Sequence, residues 1–100
     1  MKIFLDDVRE TPEGYERTYT VKETIEWIIK AQTEDFKIEV LSLDNDLGEG
    51  LEEGYKVLDW LEEKAFGELF FIIPMDIKIH SANPVARRRM QSVIDRLYNK

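Results

Sequence analysis

The sequence predicts an α/β fold: about four mostly parallel strands accompanied by three helices. Apolar runs alternate with stretches of helical periodicity, which is the pattern of a parallel sheet with crossover helices. The 43% hydrophobic content and 11% aromatic content are enough for one packed core. No repeat, low-complexity tract or long linker interrupts the 100 residues, so residues 1–100 are expected to form a single domain.

The elements follow in chain order. Lys2–Leu5 is a short buried strand that ends on Asp6-Asp7. Val8–Gly14 holds Pro12 and Gly14 and is expected to be a loop. Glu16–Tyr19 follows as a second strand. Thr20-Val21-Lys22-Glu23 matches a capping box, and Ile25, Ile28 and Ile29 continue it as a helix to about Gln32. Ile38–Leu43 is β-branched and apolar and closes on Asp44-Asn45-Asp46. Leu47–Gly54 is acidic and glycine-rich, hence a loop; Tyr55, Val57, Leu58 and Leu61 then mark the buried stripe of a second helix. Leu69–Ile73 has strand character but meets Pro74, so the fourth strand is placed at Met75–Ile79. Asp76 and Lys78 in that strand suit a sheet edge. Asn83 is a favoured N-cap and Pro84 a favoured first helical residue, and Met90, Val93, Ile94 and Leu97 form the core face of the last helix. Trp27 and Trp60 fall within helices and are expected to pack partly on the sheet.

Charge and composition exclude several functions. The net charge is −7, but Pro84 onward carries +4 and leaves −11 on the first 83 residues. An acidic body disfavours general duplex-DNA binding, while a basic last helix permits local contact with a phosphate. There are no cysteines, hence no disulfide and no thiolate zinc site. The apolar run at the N-terminus is too short for a signal peptide or a membrane span, so a cytoplasmic location is expected, with no membrane partner.

Chemistry concentrates at the strand ends. In a parallel sheet, ligands bind outside the carboxyl ends of the strands. Asp6-Asp7, Asp44-Asn45-Asp46 and His80-Ser81 all fall there and should converge on one edge. Crowded carboxylates repel one another unless a cation neutralises them, so Asp6, Asp7, Asp44 and Asp46 are candidate ligands for Mg²⁺ or Mn²⁺, which would recruit a phosphate. The EF-hand alternative fails, because its sixth and twelfth positions from Asp44 hold Glu49 and Tyr55 rather than Gly and Glu. His80 can donate to a phosphate or act in acid–base chemistry, and Asn83 opens a helix whose N-terminus suits an anion. Arg9 is within reach of the same edge, either to clamp a phosphate or to pair with Asp7 or Glu10. Arg87, Arg88 and Arg89 fan out about 100° apart, so at most one or two can face the site; Arg87 is the one assigned to phosphate. Against these readings stand plainer ones, in which the acids cap turns, His80 lines a strand end and the arginines form a solvated face.

Lys2-Ile3-Phe4-Leu5-Asp6-Asp7-Val8-Arg9, Leu41-Ser42-Leu43-Asp44-Asn45-Asp46-Leu47-Gly48 and Gly54-Tyr55-Lys56-Val57-Leu58 resemble the receiver domains of response regulators. The resemblance implies a flavodoxin-like three-layer sandwich, Mg²⁺ held by the acidic pair, a phosphoryl group accepted on Asp44, and Ser81 as the Ser/Thr that closes strand four. The sequence departs from that pattern in its short loop between the first two strands, its lack of a fifth strand and its lysine, and its additional Asp46, His80, Asn83 and Pro84.

Asp6-Asp7-x-Arg9, Leu43-Asp44-x-Asp46-Leu47-Gly48 and Ile79-His80-Ser81-x-Asn83-Pro84, with Arg87 to Met90 following, resemble more closely the cyclic-phosphate-processing receiver domains. That resemblance implies metal-assisted hydrolysis of a cyclic phosphate on an RNA end or a nucleotide. His80, Asp44, Asp46 and Arg9 would be catalytic, Ser81, Asn83 and Arg87 would hold the phosphate, and the aspartates would hold the metal. A stand-alone receiver phosphorylated on Asp44 and a non-catalytic nucleotide- or phosphate-binding protein are the alternatives. A chain this short leaves room for a protein partner or a homodimer that completes the site.

Overall fold

A computed structural model describes residues 1–99. Four strands, β1 (Lys2–Leu5), β2 (Tyr15–Thr18), β3 (Val40–Leu43) and β4 (Asp76–Ile79), alternate with helices α1 (Val21–Glu34), α2 (Tyr55–Gly67) and α3 (Pro84–Tyr98). The strands form one wholly parallel sheet in the order β2-β1-β3-β4, a receiver-like α/β arrangement with β4 at an edge as its mixed composition suggests.

Local chemistry explains the helix limits. Thr20 Oγ1 accepts from the Glu23 N–H at 3.1 Å and starts α1, and Asp35 in the left-handed region (φ 54°) ends it two residues past the expected point. Asn83 Oδ1 accepts from Val85 and Ala86 N–H at 3.1 Å each, with Pro84 at the first helical position. Strand limits shift by one or two residues. β3 begins at Val40 because the Ile38 carbonyl pairs singly with Met75 N–H and continues into no ladder. Leu69–Ile73 forms no strand, since Phe70 adopts φ 68° and Pro74 follows.

Alternation along the strands sorts the sheet into two unlike faces. Ile3, Leu5, Leu41, Leu43 and Ile77 point one way and join Ile28, Val57, Leu58, Leu61, Met90, Val93 and Leu97 of the helices in one buried cluster. Successive right-handed crossovers along β2, β3 and β4 place the helices on that same side. The opposite face carries Lys2, Phe4, Tyr15, Arg17, Ser42 and Lys78, none of which joins the cluster that the described helices form with the sheet. The core thus fills one interlayer, and the second helical layer of a full three-layer sandwich is not built by the described residues. Trp27 and Trp60 pack against the core while remaining partly exposed. No described helix is long and apolar enough to cross a membrane.

Candidate active site at the carboxyl edge of the sheet

Register alone assembles the centre of the site. Leu5 pairs with Leu43, and Leu43 with Ile79, so the next residues, Asp6, Asp44 and His80, stand side by side on three adjacent strands. The ladder continues through them: Asp44 N–H donates to Leu5 O and His80 N–H to Leu43 O, both at 3.0 Å. One ligand-capable atom from each of Asp6, Asp44 and His80 lies within 4.8 Å of the others. The predicted convergence of three strand ends is therefore present, with Asp6 and Asp44 buried and His80 partly exposed.

Asp6 is held by several donors. Its Oδ1 accepts from Val8 N–H at 2.8 Å and Arg9 N–H at 2.9 Å, and its Oδ2 accepts from His80 Nε2 at 3.0 Å. Arg9 Nη1 lies 3.6 Å from the same Oδ2 and donates to the His80 carbonyl. Arg9 thus pairs with Asp6, neither with Asp7 nor with Glu10. Burial pushes the Asp6 carboxyl up, but the two backbone donors and the nearby His80 and Arg9 outweigh it and hold the carboxyl below its ordinary range. Asp6 is accordingly ionised at neutral pH.

A carboxylate only accepts, so His80 carries its proton on Nε2, and Nδ1 accepts from Ser42 Oγ at 2.7 Å. The ring also stacks on Phe4, with centroids 4.4 Å apart and planes 6° apart. Residues two apart on a strand share a face, which is why Phe4 and Ser42 meet a ring anchored one rung beyond them. His80 thereby covers Phe4 and Ser42 on the helix-free side, and both are buried there. Burial of the imidazole lowers its pKa and prevails over the pull of Asp6 and Asp44 toward the charged form. The His80–Asp6 contact is a hydrogen bond from a neutral ring.

Asp44 is the uncompensated member. Its Oδ1 accepts one bond, from Asn45 N–H at 2.8 Å. Burial, aided by the Asp6 charge, raises its pKa against the opposing effects of Asn45, His80 and Arg9. Asp7 Oδ1 is buried with no hydrogen-bond partner among the described residues, and the other Asp7 oxygen lies near Gly48. Asp46 is exposed and lies outside the tight group.

These features fit a divalent cation of the kind a receiver resemblance implies. An orphaned carboxylate oxygen and a buried, raised carboxyl are the groups a hard cation would satisfy, and such an oxygen set suits Mg²⁺ or Mn²⁺.

The opposite rim is shaped by the mouth of α3. Ser81 is buried, and its Oγ accepts from Asn83 N–H at 3.1 Å. The Asn83 amide oxygen is committed to capping α3. Arg87 Nη1 donates to the carbonyls of Ile79 at 3.3 Å and Ser81 at 3.0 Å, bracing the loop that carries His80. Arg89 turns away to Tyr55 and Asp59 on α2.

Several contributors escaped the sequence reading. Ser42 and Phe4 position His80, and Arg17 Nε donates to the Asp6 carbonyl at 3.1 Å. Asn45, also buried, accepts from Tyr55 N–H at 3.1 Å and donates to Glu53 at 3.0 Å, tying the Asp44 turn to the start of α2. A β-carbon on Gly54 would stand 1.8 Å from the Asp44 carbonyl oxygen, so only glycine lets α2 begin beneath Asp44. The available signals were a serine inside an apolar strand and an asparagine between two acids.

Comparison with known proteins yields no match among curated proteins and none among solved structures. A family model, described as the cyclic-phosphate processing receiver domain, matches residues 1–96. Its span takes in every strand and the aspartate–histidine cluster just described, and the chain belongs to the cyclic-phosphate processing receiver domain family.

Proposed function

We propose that the protein hydrolyses a cyclic phosphate, on an RNA end or a nucleotide, with the assistance of Mg²⁺ or Mn²⁺. The observation that carries this reading is the meeting of Asp6, Asp44 and His80 within 4.8 Å at the carboxyl edge of the sheet, in a chain of a family linked to cyclic-phosphate processing. Asp44, Asp7 and Asp6 would hold the cation, with Asp46 at the rim. When bound, the cation would polarise the phosphoryl oxygens and lower the pKa of a water.

The chain's own groups supply the rest. Arg9, half-exposed beside Asp6, adds positive charge where an anionic phosphate must approach a cluster of acids. Once protonated on both ring nitrogens, His80 would be the acid for the leaving oxygen: the Nε2 proton passes to that oxygen, which must replace Asp6 Oδ2 as the acceptor, and the ring returns to its neutral form. Ser42 keeps the ring oriented through Nδ1 while that exchange occurs. Ser81, Asn83 and Arg87 hold the loop at the phosphate side of the site.

The test is an assay of 2′,3′-cyclic and 3′,5′-cyclic nucleotides with Mg²⁺ or Mn²⁺, with His80→Ala and Asp44→Asn as controls. Turnover that disappears in both variants is expected. A stable acyl phosphate formed from a small phosphodonor and lost only in Asp44→Asn would replace this reading with a stand-alone receiver. Saturable nucleotide binding without turnover would replace it with a sequestering protein.

A further inference from the structure

Asp6, Asp44 and His80 are the last row of a larger surface. Residues two apart on a strand share a face, so the row behind them is Arg17, Phe4, Ser42 and Lys78, and the next is Tyr15, Lys2, Val40 and Asp76. None of these side chains joins the core cluster. The two rows run about 13 Å back from the acids, and a stacked polynucleotide strand advances about 3.4 Å per nucleotide, so roughly two to four nucleotides fit behind a seated end.

Charge on this surface runs against the rest of the chain, which holds 21 acids against 14 lysines and arginines. Behind the site the ionised side chains are Lys2, Arg17 and Lys78, with a single carboxylate, Asp76, at the far corner. Lys2 and Lys78 are exposed, and neither meets a carboxylate among the described residues.

Aromatic surface is interleaved with these cations. Tyr19 is 51% exposed beside the acids, next to Thr18, whose carbonyl accepts from Asp6 N–H at 3.1 Å. The Arg17 guanidinium lies 4.8 Å from the centre of the Tyr19 ring and is fixed by its bond to the Asp6 carbonyl. Lys2 Nζ lies 5.6 Å from the centre of the half-buried Tyr15 ring. Rings and guanidinium planes stack unpaired bases while flanking cations track phosphates, which is how single-stranded RNA is held. His80 lies flat on Phe4, so the surface is continuous with the site. A 2′,3′-cyclic phosphate terminates the 3′ end of an RNA, and the preceding nucleotides must lead away from the acids over some part of the protein.

We infer that this face is the subsite for the single-stranded RNA preceding the cyclic phosphate, so that an RNA 3′ end is preferred to a cyclic mononucleotide. The inference rests on the cyclic-phosphate reading of the site given above. Fluorescence anisotropy of a 5′-labelled RNA tetranucleotide ending in a 2′,3′-cyclic phosphate tests it, in Mg²⁺ and at several salt concentrations, with 2′,3′-cyclic mononucleotide as competitor. Hydrolysis of the end leaves the preceding phosphates in place, so the measurement is valid with or without turnover. The tetranucleotide is expected to bind at least about tenfold tighter than the mononucleotide. Lys2→Glu/Lys78→Glu should remove that advantage and reduce the salt slope by about 1.4, from ~0.7 for each of two phosphates. Lys22→Glu/Lys30→Glu on α1 changes the net charge equally and should keep the advantage. A tetranucleotide that binds no better than the mononucleotide overturns the inference. So does an advantage that survives in Lys2→Glu/Lys78→Glu, or one that the α1 variant loses equally. Face-dependent binding without turnover supports this subsite and sinks the hydrolysis. Turnover of mononucleotides with no advantage for the tetranucleotide does the reverse.

Discussion

Replacing Asp44 by asparagine should stabilise the cation-free protein. Asp6 and Asp44 bring carboxylate oxygens within 4.8 Å of each other, and Asp44 receives one backbone hydrogen bond against several for Asp6. At an effective dielectric constant of about 20, two like charges at that separation repel by roughly 3.5 kcal/mol. Arg9 and the His80 dipole offset part of this, while the asparagine oxygen can still accept from Asn45 N–H. The expected gain is about 1–2 kcal/mol, and each kcal/mol is worth ~4–8 °C in a domain of this size. Urea and thermal unfolding at pH 7 in a chelator and low salt measure it. Adding Mg²⁺ or Mn²⁺ should then stabilise the wild type and leave Asp44→Asn almost unchanged. An Asp44→Asn protein less stable than wild type in chelator, or equally stabilised by the cation, would refute the reasoning.

Gly54→Ala should be among the most damaging single-methyl changes, costing about 3 kcal/mol or more by urea unfolding, because its β-carbon meets the Asp44 backbone at 1.8 Å. Ser42→Ala leaves His80 Nδ1 without its donor; a loss of about 1–3 kcal/mol is expected, together with a changed tautomer signature in the imidazole ¹⁵N spectrum. Tyr98 has its hydroxyl pushed up to about 12 by burial and by Asp76. A raised folded-state pKa means the stabilising contribution is complete below the unfolded value near 10 and is lost as pH rises from there through about 12. Because Tyr98 is 39% exposed, the alkaline loss should be only about 1 kcal/mol, and Tyr98→Phe should abolish it in urea titrations between pH 9 and 12.

Much of the molecule was legible because its determinants are local. The Thr20–Glu23 box and the Asn83-Pro84 start specify helix ends through bonds to backbone groups a few residues away, and both appear as expected. Strand assignments were least secure where long-range pairing decides them. Ile38 and Leu69–Ile73 have strand-forming side chains but lack a continuing partner ladder. The site divides in the same way. Asp6, Asp44 and His80 could be named from strand ends, but the identity of Arg9's partner and the roles of Ser42, Phe4, Asn45 and Gly54 could not. Each of these four acts on a residue of another element or on a close backbone approach that no spacing rule encodes.

That polar groups close the apolar strands is written in the residue order, and the parallel topology implied by helix–strand alternation sends those ends to one edge. How unequal the acids are depends on contacts between elements far apart in the chain. Register places Asp6 among the donors of Val8, Arg9 and His80, leaves Asp44 buried with one, leaves a buried Asp7 oxygen with none among the described residues, and turns Asp46 to solvent. Four aspartates that look alike in the chain differ in hydrogen bonding and exposure, because strands distant in sequence decide which donors each carboxylate meets and how far it is withdrawn from water.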